Sequence, residues 1–186
     1  MDLVYGVGIN DLKSQHNCPF YSRWKGMLRR CFAGRDDPYY EGCQVAEAWL
    51  TFSEFRAWME TKPWLGNQLD KDILSPAEKI YRPETSVFVP AYLNSLVIDR
   101  EKPASGLLRG VSHTQRGKPY MARVRWLDGS RTSVGSFHCQ AEAHRAWAHA
   151  KAGVIRQAVQ LYRSTDGYEE RVCVALAEWA DQLESQ

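Results

Sequence analysis

Asp70 and Asp72 stand two residues apart with Lys71 between them, in the stretch LDKDIL at 69–74. Two carboxylates at that spacing can begin a site for a hard divalent cation such as Mg²⁺, which takes oxygen ligands. The intervening lysine equally suits a solvated, self-neutralising sheet edge. If the stretch is a strand, alternation puts Asp70 and Asp72 on one face and Lys71 on the other. Lys71 could serve as a base only if burial or nearby cations lowered its pKa from ~10.4 toward neutrality, and two flanking anions act the other way.

A second concentration of chemistry lies further on. Between Lys102 and Phe137 there are seven Lys/Arg (102, 109, 116, 118, 123, 125 and 131) against one acid, Asp128. On a chain of net charge +2, a locally basic segment of this kind is the pattern of a nucleic-acid footprint. YMARVRW (120–126) alternates strictly, with Tyr120, Ala122, Val124 and Trp126 facing one way and Arg123 and Arg125 the other. That period predicts a half-buried strand. DGS (128–130) is a hairpin turn signal. RTSVGSF then returns as a strand with Arg131 and Ser133 on one face and Thr132, Val134 and Ser136 on the other. With a first strand over 108–113, this makes a three-stranded antiparallel sheet with an arginine-rich exposed face. A helix from about Gln140, with Ala143, Trp147 and Ala150 at i, i+4 and i+7, would back it. Arg side chains on such a sheet can each donate two hydrogen bonds to guanine O6 and N7 in the major groove of duplex DNA.

The elements that must position these residues are legible from periodicity. YSRWKGMLRRCF (21–32) places Tyr21, Trp24, Met27, Leu28 and Cys31 at helical spacing. GCQVAEAWLTFSEFRAWME (42–60) begins as a short strand and continues as a helix with Trp49, Phe52, Phe55 and Met59 on a core face. Pro63 and Gly66 end that helix. A short strand at QLDKDIL, a hairpin-like loop, a strand at SVFVP and a short helix at AYLNSLV follow. The polar stretch DREKPASG (99–106) is the expected domain boundary. A last helix, from the Asp166 region to about Leu183, would pack Val172, Leu176 and Trp179. The expected class is α+β: a helical, ββα finger-like domain over 1–100, the sheet-on-helix domain over 106–163, and an acidic C-terminal helix over 164–186.

Composition bounds the remaining possibilities. Hydrophobic content of 44% with seven tryptophans suits a buried core. No apolar run approaches the ~20 residues a membrane helix needs, and the N-terminus carries no secretory signature, so a cytoplasmic protein without membrane contact is expected. The five cysteines (18, 31, 43, 139 and 173) contain no CxxC pair. Among His16, Cys18, Cys31 and Cys43 only the first two are close, so buried free thiols rather than a zinc site are expected. GVGIND (6–11) lacks the third glycine of a dinucleotide fingerprint. His113 lies near the sheet turn, within reach of a phosphate; His138, His144 and His149 read as helix-surface residues.

RGV (109–111), RGK (116–118), YMARVR, VGSF and AEAHRAWAHA, in that order over Leu107 to Ala152, resemble the AP2/ERF DNA-binding domain. The resemblance implies double-stranded DNA as partner and, position by position, Arg109, Arg116, Lys118, Arg123, Arg125 and Arg131 as contacts, with Ser133 on the same face. The chain departs from the family at Ser112 (commonly Arg), Ser133 (Trp), Arg123 (an acid) and Pro119 (an added turn residue), so the family's usual target sequence does not carry over.

Residues 21 to 96 resemble phage-encoded proteins of the HNH (His-Me finger) endonuclease type, through YSRWKGMLRRCF, YYEGCQVAEAWLTFSEFRAWM, LDKDIL, KIYRPETSVFVP and LN. In that family one carboxylate and an Asn or His hold a divalent cation at the scissile phosphate, and a histidine deprotonates water. Carried over, Asp70 is the acid and Asn94 falls near the second ligand, while Lys71 stands where the histidine belongs. Asp70, Asp72 and Asn94 are thus the candidate ligands of Mg²⁺ or another divalent cation, and Asp70, Lys71 and Asn94 the candidate catalytic set. Three functions remain open: a duplex-DNA-binding protein with a degenerate finger, a metal-dependent homing-type endonuclease, and a phage protein that binds a host protein through its acidic tail or aromatic N-terminal face.

Overall fold

The computed structural model describes residues 3–14, 17–34, 40–98, 106–115 and 117–185. It is an α+β protein with five α-helices and three small sheets among those residues. The chain divides into two compact units, 1–91 and 92–186. Among the described residues no helix is long and apolar enough to cross a membrane.

In the first unit, α1 (Pro19–Phe32) begins on a proline, whose missing N–H costs nothing in a first helical turn. It buries Tyr21, Trp24, Met27 and Leu28. β1 (Gln44–Val45) leads through a 3₁₀ turn (Glu47–Leu50) into α2 (Phe52–Glu60), which buries Phe52, Phe55 and Met59. Trp24 and Trp49 face each other through polar chemistry as well as packing: the Trp24 indole N–H donates to the Trp49 carbonyl at 2.7 Å. That bond satisfies the one polar atom of a large buried ring. The N-terminal stretch lies against this core. A Cβ at Gly8 would come within 2.4 Å of Leu28 Cδ1, so that position admits only glycine without repacking.

The rest of the unit is two strand pairs. β2 (Gln68–Asp70) runs antiparallel to β4 (Val87–Val89), with Leu69 opposite Phe88 and Asp70 opposite Val87. β3 (Ile80–Tyr81), inside the segment expected to be loop, pairs parallel with β1. Two-residue strands carry little periodicity, which is why sequence spacing does not reveal β3.

In the second unit, α3 (Ala91–Ile98) begins at the boundary, and Tyr92 lies beside Cys173 and Tyr162. The expected boundary stretch at 99–105 lies outside the described residues. β5 (Val111–His113), β6 (Tyr120–Arg125) and β7 (Arg131–Phe137) form an antiparallel sheet in the order β5-β6-β7. α4 (Gln140–Arg163) spans 24 residues, about 36 Å at 1.5 Å per residue. Its first turns cover the sheet through Ala143 and Trp147; its later turns, including Ile155, Ala158, Val159 and Tyr162, are also buried and α5 (Glu170–Glu184) packs along it. α5 therefore belongs to the same compact unit as the sheet. Its carboxylates are largely matched by arginines: Arg156 binds Asp181 at 2.7 Å and Glu184 at 2.7 Å, and Arg163 binds Glu170. The acidic tail is thus not one free anionic face.

Candidate functional sites

The exposed sheet face is built by its register. Arg125 stands opposite Arg131 and Arg123 opposite Ser133, so these four share one face. Ala122 and Val124 point the other way and are fully buried against α4. A β-bulge lies between Ala122 and Arg123: Arg123 pairs with Ser133 while Ala122 pairs with Gly135, leaving Val134 without a partner. A bulge shifts the alternation by one residue. Thr132, Val134 and Ser136 therefore do not form the expected inward face. Val134 is exposed, and Ser136 stands opposite Met121, on the arginine side. Strict alternation along β7 cannot foresee that extra residue.

Among the described residues no acid pairs with the arginines of this face. Its strands contain no Asp or Glu. Among the described residues Arg123, Arg125 and Arg131 make no ion pair; Arg123 Nε donates to Met121 Sδ at 3.2 Å. Asp128, the segment's single acid, is held in the β6–β7 turn, where Ser130 donates its N–H and hydroxyl to Oδ1. Those bonds hold the Asp128 carboxyl below the usual carboxylate range. Trp126, just after β6, is exposed and donates its indole N–H to Thr132 Oγ1 at 2.8 Å, instead of continuing the buried row.

The other predicted contacts are distributed around this face. Lys118 is exposed in the β5–β6 turn, which closes through the Thr114 N–H to Pro119 carbonyl bond at 3.0 Å. Arg116 lies outside the described residues. Arg109 is half-buried just before β5, and its carbonyl lies 2.8 Å from His144 Nδ1. His144 also stacks on Trp147, so it fastens α4 to the approach of β5 and is no mere surface residue. His149 is an exposed residue of the helix surface, as expected, and faces Glu184 at 3.2 Å. Gly110, at φ +75°, lets the chain lie flat on Trp147; a Cβ there would sit 2.0 Å from the ring.

At the acid pair the structure departs from the expected strand. β2 ends at Asp70, whose Oδ1 accepts the N–H groups of Asp72 at 2.9 Å and Ile73 at 2.8 Å. This side-chain acceptor turns the backbone at once, so Asp72 lies in a turn and shares no strand face with Asp70. Lys71 does not point to solvent. It is 3% exposed, with Nζ 2.5 Å from Asp72 Oδ1 and 5.7 Å from the Tyr81 ring centroid. Burial pushes the Asp70 carboxyl up to about 6, with the Asp72 charge adding to it and the two backbone donors opposing it. Asn94 is half-buried on α3, in the second unit, whereas Asp70–Asp72 close β2 in the first.

These residues fit a divalent cation poorly. One Asp70 oxygen is engaged by two backbone donors, and a buried ammonium already occupies Asp72. Among the described residues no group of three His, Cys, Asp or Glu is placed to hold a metal ion. The cysteines are free thiols, but only Cys43 and Cys173 are buried; Cys18 and Cys31 are half-buried and Cys139 is exposed. In comparisons with known proteins, no family model, no curated protein and no solved structure matched this chain.

Proposed function

We propose that this chain is a double-stranded DNA-binding protein that docks the outer face of the β5–β6–β7 sheet, in the manner of an AP2/ERF domain. The reading rests above all on Arg123, Arg125 and Arg131 standing together with Ser133 on one face, without an acid among the strands. The opposite face is covered by α4, so the exposed side is the one free to meet a groove. Arginine suits both phosphates and the guanine edge, because its planar fork donates two parallel hydrogen bonds. Lys118 in the adjacent turn reaches toward the backbone phosphates. Such binding would occur in the cytoplasm of the cell, host or otherwise, that holds the DNA.

The test is titration of a fluorescent duplex across salt concentrations. Binding should weaken steeply as salt rises, because each neutralised phosphate releases condensed counterions. Absence of binding at low salt would overturn the proposal. In this reading the first unit is a folded module without a cutting centre: Lys71 is buried in an ion pair, where a base would need a free amine beside water. Supercoiled plasmid should remain intact with Mg²⁺ or Mn²⁺. Nicking that disappears in Asp70→Asn would establish the endonuclease reading instead, with Asp70 as the cation's ligand.

A further inference from the structure

The first unit brings two thiols together at the end of a helix. Cys31 lies in the last turn of α1, and Cys43 immediately precedes β1. Their Sγ atoms are 2.6 Å apart, about half an ångström beyond the ~2.05 Å of a covalent disulfide. Both sulfurs also approach the Gln44 carbonyl, at 3.8 Å and 4.0 Å. Cations flank the pair. Lys71 is buried beside it, and Arg30 adjoins Cys31 in sequence. Both cations rest on one ring, Tyr81, with Arg30 Cζ 5.2 Å and Lys71 Nζ 5.7 Å from its centroid. The Arg30 Nε–H also donates to the Tyr81 hydroxyl at 2.9 Å.

We propose that Cys31 and Cys43 are a reversible redox pair, closing to an intramolecular disulfide under a peroxide-class oxidant, with the Lys71 ammonium promoting the reaction. A thiolate, not a thiol, is the nucleophile, and adjacent cations favour it. The hydrogen bond from Cys31 draws the Cys43 thiol down, with Lys71 and Arg30 acting in the same direction against burial. Loss of the second proton is opposed by the first thiolate, which holds Cys31 up. Cys43 is therefore the thiolate of the pair, and Cys31 keeps its proton and donates it in the hydrogen bond. Cys43 is the nucleophile toward the oxidant, and Cys31, the more exposed sulfur, lies against it as the resolving thiol.

The chemistry balances without a further reactant. The thiolate sulfur attacks one peroxide oxygen, the O–O bond breaks, and hydroxide departs to become water with a proton from solvent. The sulfenic acid formed on Cys43 is then attacked by the Cys31 sulfur, whose proton goes to the departing hydroxide. The S–O bond breaks, the S–S bond forms, and a second water leaves. One peroxide is reduced to two waters as two thiols become one disulfide. A dithiol reductant reverses it by exchange.

The experiment uses the full chain exposed to hydrogen peroxide, then alkylated under denaturing conditions and mapped by mass spectrometry. Two of the five thiols should become protected, on a cross-linked Cys31–Cys43 peptide pair that dithiothreitol releases. Lys71→Met should slow closure about three- to tenfold and Lys71→Arg should restore it, the size expected for removing one neighbouring cation. On the unaltered protein, closure should reach half its maximal rate below the ~8.5 of an ordinary thiol. That measurement stands even if the Lys71 variants do not fold. The proposal is overturned if all five thiols stay alkylatable, if the disulfide uses Cys18 or Cys139, or if the half-maximal rate falls at or above that pH.

Discussion

At the scale of single residues, the arginine face and Asp70 make opposite kinds of prediction. Arg125→Ala and Arg131→Ala should each weaken duplex binding by about 1–3 kcal/mol if they read base edges. If they hold phosphates instead, each should lower the slope of log affinity against log salt by about one, equally on all sequences. Anisotropy titrations on two unrelated duplexes at several salt concentrations separate these outcomes. Asp70 concerns stability. Its folded-state pKa of about 6 lies above the ~3.9 of an unfolded aspartate, so the folded state holds its proton more tightly. The resulting stabilisation is complete below about pH 4 and is lost as pH rises through about 6. Its size is about 3 kcal/mol by proton linkage. Asp70→Asn keeps the oxygen that caps the turn and removes the charge. Urea unfolding should show this variant losing the wild-type decline between pH 4 and 6, while Asp70→Ala loses the cap and is destabilised throughout.

The elements show how packing constrains this sheet. Gly110 combines a positive φ with contact against the Trp147 ring, and these are separate demands that only glycine meets. Gly110→Ala should cost about 2–4 kcal/mol, from a left-handed backbone and an overpacked ring together. Urea unfolding followed by circular dichroism checks it, and DNA affinity measured well below the midpoint should change little. The element scale is also where reading by periodicity succeeds and fails. α1 and α2 bury the aromatic stripes their spacing predicts, and β6 alternates as YMARVR requires. β7 does not keep its expected faces, because one unpaired residue at Val134 reverses the alternation beyond it. β2 stops four residues early, because the Asp70 carboxylate offers the chain a turn at the point where the pattern asks for more strand. β3 escapes notice because two residues cannot display a period.

For the whole molecule, two compact units and a near-neutral net charge mean that function must be assigned by unit. Among the described residues the sheet arginines Arg123, Arg125 and Arg131 stand outside ion pairs, whereas the acids of α5 are largely answered by Arg156 and Arg163 of α4. Exposed pairs of this kind contribute little stability, about 1 kcal/mol or less each, but they keep the acidic helix from presenting a repulsive field. A fragment of residues 92–186, if circular dichroism shows it folded, should retain salt-sensitive duplex binding within about threefold of the full chain. Residues 1–91 alone should bind weakly. The reverse distribution would move the DNA-binding site off the sheet.

By itself the sequence determined the α+β class, the aromatic core, the three strands and the arginine-bearing register at 123, 125 and 131. These follow from local periodicity, which the backbone of a helix or strand converts directly into faces. Only the tertiary structure decided the fate of LDKDIL and of the cysteines. Whether Lys71 meets solvent, a cation or Asp72 depends on where β2 ends and on Tyr81, ten residues away. Cys31 and Cys43 touch because the end of α1 packs beside β1, a contact between elements that no spacing within either one encodes.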